Sequence, residues 1–254
     1  MVTVSEKLEP GDQLPPTYTE STISTDSTTL SDISSQDPPP SAGASSSGST
    51  APPLSPPTNF LTIFRPNQSV KGSYTIDPSL PVPPGTTPSN GSDGKQLNAR
   101  LASQNGAVDV TIELRRSGDS KGPARLEASS HNGSVTVAVH DARLNRFRLH
   151  AASQNGSVTV RLPPTFEGSI STNLEWGKLV FSTAIQARLT TFSENGSEGR
   201  FFVGDYAGSG YENEETWLGD HLRAQTRNGR VRISFLDEPN VTEARGGFLG
   251  RLFS

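Results

Sequence analysis

The chain has 254 residues, no cysteine, a hydrophobic fraction of 31% and a formal charge of −4. The lack of cysteine excludes disulfides and thiolate chemistry. With no Lys/Arg block, nucleic acid finds no electrostatic footprint, and no apolar run approaches the ~20 residues of a membrane-spanning helix.

Residues 1–57 hold ten of the 20 prolines, one aromatic (Tyr18), and seven carboxylates against a single lysine, Lys7. Such a segment cannot bury enough apolar surface to offset its ordering entropy, so a disordered tail is expected. Its first residues lack the apolar stretch of a signal peptide, which predicts a cytoplasmic location. Pro15, Pro16 and Tyr18 spell the Pro-Pro-x-Tyr ligand of WW domains, which grip polyproline II segments in aromatic grooves. A WW-domain protein is therefore the expected partner of the tail.

From residue 58 the apolar residues return in regular patterns. Residues 59–64 and 70–76 read as entry strands that cap the first coil, and residues 81–96 as a Pro/Gly/Ser-rich loop insert. A repeat then begins, centred on Asn105-Gly106, Asn132-Gly133, Asn155-Gly156 and Asn228-Gly229. Small or apolar residues precede each Asn by two, four and six positions, and β-branched or large apolar residues follow it by three, five and seven. That is period two on both sides of a turn, the signature of half-buried strands. One inward set is Leu126, Ala128, Ser130, Val135, Val137 and Val139. Asn-Gly suits a reversal because both residues tolerate positive φ. A fifth copy, at Asn195-Gly196, loses phase beyond the turn, as if a bulge lay near Gly199, and in a sixth Trp176-Gly177 stands for Asn-Gly.

Two all-β folds fit. In a β-solenoid each Asn-Gly is a corner, and equivalent positions of successive coils stack. The alternative is a hairpin-built β-sandwich, which needs a turn signal at both ends of every strand pair. The irregular joins between copies favour the solenoid over residues 58–238. A second loop is expected at 207–216, and a flexible tail at 239–254.

No reactive constellation emerges. The four histidines show no metal-ligand spacing, and no cofactor is expected. Outward carboxylates such as Asp109, Glu113 and Glu127 would suit a glycosidase if they clustered. Trp176 and Trp217 are the candidate ligand aromatics, able to stack on a sugar or to close the core.

The small-x-Ser-x-Asn-Gly-x-Val-x-Val grammar resembles the adhesin-like β-solenoid domains of bacteria. With the Pro/Ser-rich tail and the entry Val70-Lys71-Gly72-Ser73-Tyr74-Thr75-Ile76-Asp77-Pro78, the layout is similar to a family of basidiomycete fungal proteins without an established function. The resemblance implies the fold and assigns no site. The expected function is a non-enzymatic scaffold or interaction protein. The alternatives are a carbohydrate-binding, adhesin-like wall protein and a carbohydrate-active enzyme.

Overall fold

The structure, a computed structural model, describes residues 55–91, 93–115, 122–141, 146–212 and 217–238. Pro15, Pro16 and Tyr18 lie outside the described residues, as do residues 239–254. The first four coils are β1 (Leu61–Arg65) with β2 (Val70–Ile76), β3 (Ala99–Ser103) with β4 (Val108–Leu114), β5 (Ala124–Ser130) with β6 (Val135–Asp141), and β7 (Phe147–Ser153) with β8 (Val158–Leu162). They are followed by β9 (Gly168–Phe181), β10 (Leu189–Asn195), β11 (Glu198–Val203) and β12 (Asp220–Phe235).

Every pairing between coils is parallel and in register, which makes the domain a β-solenoid and not a stack of hairpins. One face runs β1, β3, β5, β7 and the first half of β12. The other runs β2, β4, β6, β8 and the second half of β12. β9 lies along the whole of β12, and so extends both faces.

Period-two alternation sends one side chain of every two between the faces, where like stacks on like. Ala99, Leu126, Leu149, Leu222 and Ile170 form one column. Val70, Val108, Val135, Val158 and Val231 form another, and all five are fully buried. Each valine, leucine or isoleucine of these columns contributes roughly 1.5–3 kcal/mol of burial. A one-residue slip would turn a whole column to water, and this fixes the register.

The corners are held by two polar ladders. Asn67, Asn105, Asn132, Asn155 and Asn228 link amide to amide at 2.7–2.9 Å, each Nδ2 donating to the Oδ1 of the preceding coil. Behind them, the Ser130 hydroxyl accepts from Gly133 N–H at 2.9 Å and donates to the Gly106 carbonyl at 2.8 Å. Ser153 and Thr226 donate to the carbonyls of Gly133 and Gly156 in the same way.

The glycines serve a different end from the one turn chemistry predicts. Gly106, Gly133, Gly156 and Gly229 are absent from the positive-φ residues. A Cβ on any of them would instead lie 2.2–2.4 Å from the carbonyl oxygen of the coil before. Glycine lets the backbones approach. Gln68 fills the equivalent corner place in the first coil, against which no earlier coil presses among the described residues. The entry strands are therefore a full coil with Asn67 in the ladder, and not a cap.

Two further expectations change. β12 is last in the chain, yet it lies between the fourth coil and β9, so spatial and chain order differ. Asn195-Gly196 is not a coil corner. It turns the antiparallel hairpin of β10 and β11, with Gly196 at φ 55°, and the register shift falls between Thr191 and Ser193, not at Gly199. β11 then pairs antiparallel with the first half of β9. The short helix α1 (Thr183–Gln186) buries Ile185 in the core cluster.

Candidate functional site

Alternation that fills the core also sorts the outward residues of the first face into rows across the strands. One row runs Arg100, Glu127, His150, Arg223, Ser171 and Arg200. The next holds Arg125, Arg148 and His221, and another holds Gln225, Asn173 and Glu198. These rows, apart from Arg100, floor a cavity of about 340 Å³. The loop insert, through Gly91 and Asp93, and Leu97 just after it form one wall, held down by a Ser89–Thr62 hydroxyl contact of 2.9 Å and the Arg125–Asp93 ion pair.

The groove carboxylates are engaged. Glu127 pairs with Arg100 at 3.2 Å, and Glu198 accepts from Asn173 at 3.3 Å. Among the described residues no carboxylate pairs with Arg200 or Arg223. Gln225 satisfies its neighbours with its oxygen accepting from Arg223 Nε and Nη2 at 2.7 and 2.8 Å, and its nitrogen donating to His150 Nε2 at 3.1 Å. That leaves the ring hydrogen on His150 Nδ1, which is buried without a partner. Arg148 donates to the Trp217 carbonyl, tying the groove floor to the segment that leads into β12.

Beside the groove, Phe202 on the outer side of β11 is fully buried under a ring cluster. Tyr206 and Tyr211 lie 5.7 and 5.5 Å from its centroid, and Trp217 lies 6.2 Å away. α2 (Tyr206–Ser209) carries the first of these rings and runs into the start of the expected 207–216 loop. Trp217 thus packs as cover, with its indole N–H on the Asp220 carbonyl at 3.3 Å. Trp176 stands opposite Asn228 at the end of the amide ladder and is 71% exposed. The eight strand steps from Asp220 to Asn228 separate the two tryptophans by about 25 Å. They do not share a groove.

The carboxylates weighed for glycosidase chemistry are also separated. Asp109 and Glu113 lie on β4 of the second face, and Glu127 on β5 of the first. The signal that the repeat grammar missed is columnar. Five positions before each coil's Asn stand Arg100, Glu127, His150 and Arg223, and seven before stand Arg125, Arg148 and His221. Arg200 has no such signal, because it arrives on the antiparallel β11.

Asp220 is a strongly perturbed acid. It is 4% exposed and accepts from the backbone N–H of Phe147 at 3.0 Å and of Glu167 at 3.3 Å, with Arg146 at 3.4 Å. Desolvation raises its pKa from 3.8 to about 6, against the lowering pull of those donors. Glu238 is opposite in sign. Burial alone would raise it, but the Ser182 hydroxyl and the N–H groups of Phe235 and Ala184 hold it below its ordinary value. No helix among the described residues is long and apolar enough to cross a membrane.

A family model described as a domain of unknown function, DUF7330, matches residues 59–238. The chain is similar to a "putative cell adhesion protein" from Clostridium sporogenes, whose crystal structure aligns over 68% of this chain and 92% of its own at 11% identity, with a TM-score of 0.33. No curated protein matches.

Proposed function

The chain belongs to this DUF7330 family, and from that premise we propose that its repeat domain is a non-enzymatic interaction module whose ligand lies in the groove on the first face. One observation carries the reading: stacking brings arginine, histidine and amide side chains from adjacent strands into rows over one cavity. Rigid strands position such groups without help from a ligand, which favours recognition. Asp93, Glu127 and Glu198 each hold a partner, which supports binding over acid–base chemistry. The adhesin-like, carbohydrate-binding alternative uses the same groove. The carbohydrate-active enzyme would need a carboxylate left for proton transfer.

The tail belongs to the proposal as a second, independent contact, in which Pro15, Pro16 and Tyr18 recruit a WW-domain protein. Full-length wild type and Arg223→Ala, probed on arrays of saccharides, peptides and WW domains, test both contacts. The groove reading expects at least one ligand that wild type holds and Arg223→Ala loses. If no feature distinguishes the two proteins, the groove is not a binding surface. WW-domain capture that survives Tyr18→Ala removes the tail contact.

A further inference from the structure

We propose that the groove takes an acidic oligosaccharide, a sugar chain bearing carboxylates, laid across the strands; this rests on the groove being a binding surface. Asp93 and Glu127 are ion-paired with Arg125 and Arg100, while Glu198 accepts from the Asn173 amide and keeps its charge. Arg200 and Arg223 are left facing the cavity with no carboxylate among the described residues. Two of Arg223's five N–H donors are spent on Gln225, which fixes the guanidinium plane and leaves the remaining donors for a ligand. A planar fork held in this way matches a carboxylate.

The remaining chemistry separates a sugar from an acidic peptide. A peptide added as a strand needs a free sheet edge, whereas β7, β12 and β9 are paired on both sides along the groove. A docking helix needs an apolar stripe. Leu97 is the one apolar side chain that the wall contributes, and it is 6% exposed. What the rows offer are a hydroxyl and an amide group, Ser171 and Asn173, interleaved with Arg223 and Arg200 on neighbouring strands. Donors and acceptors at strand spacing, about 4.8 Å apart, suit a ligand whose hydroxyls and carboxylates recur along a chain.

Titration calorimetry of the full chain with oligogalacturonate and oligoglucuronate tests the proposal, with their methyl esters and polyglutamate as comparisons. Esterification keeps every hydroxyl and removes the charge. The expected result is binding of a free acid that weakens about tenfold or more on esterification, as loss of a charge-assisted pair implies. Arg200→Ala and Arg223→Ala should lose the same affinity, while Arg232→Ala on the second face keeps it. Circular dichroism confirms that each variant is folded, and Arg200→Glu supplies a charge reversal at an exposed strand position. Equal binding of the ester, equal binding of polyglutamate, or no binding of either acid overturns the assignment. If the arrays still show an Arg223-dependent ligand, the interaction module stands and only its ligand class is wrong. If they show none, both fall.

Discussion

Glycine is placed in this protein by two different forces, and substitution separates them. At Gly133 the constraint is space: a Cβ would meet the Gly106 carbonyl oxygen at 2.2 Å, and that oxygen belongs to a backbone pinned by the Ser130 hydroxyl. At Gly196 the constraint is φ, with nothing within 4 Å. Gly133→Ala must therefore push neighbouring coils apart and should cost about 3 kcal/mol, the scale of overpacking a rigid interior. Gly196→Ala should cost only about 1 kcal/mol, the ordinary penalty for a left-handed residue. Urea unfolding of the two variants measures the difference. A larger loss at Gly196 would mean that conformation, not stacking, selects the corner glycines. Gln68 already points the same way, since a corner with no earlier coil behind it among the described residues carries a side chain.

At the level of elements, the joint that matters most is where β12 begins. Asp220 sits there and gathers the N–H groups of Phe147 at the start of β7 and Glu167 just before β9. Its buried carboxyl keeps its proton up to about pH 6, whereas the unfolded chain releases it near 3.8. The folded state thus binds more protons between those values, and the linked stability is full below about pH 4 and lost as pH rises through about 6. The wild type should lose on the order of 2–3 kcal/mol relative to Asp220→Asn across that window. Melting curves of both proteins from pH 4 to 7 check this, and parallel profiles would show that the Asp220 titration is unshifted by folding. Neither this joint nor Arg200 could be read from the sequence, because both depend on strands that meet only after the chain doubles back.

Over the whole molecule, what was legible is what each coil carries within itself. The alternation around Asn132 and Asn155 names the buried residues, and their shared grammar predicts parallel stacking. Coil order was not legible for the same reason. Leu222, Ala224, Thr226 and Val231 repeat the inward pattern of Leu149, Ala151, Ser153 and Val158, so a late coil fits beside any earlier one. The structure puts it between the fourth coil and β9, and this changes how the domain should unfold. In a linear solenoid the last coil frays and its neighbours persist. Here β12 supplies the partner for β9 along 13 paired positions, from Asp220↔Gly168 to Ile233↔Phe181. A chain ending at Trp217 should therefore lose hydrogen-exchange protection throughout β9, β10 and β11 while β3 to β6 stay protected. In the full chain, amides of β9 and β12 should open with one shared free energy, as a single cooperative unit. Protection of β9 in the shortened chain would mean that the hairpin of β10 and β11 holds it alone, and that the inserted coil is an addition to a domain already complete.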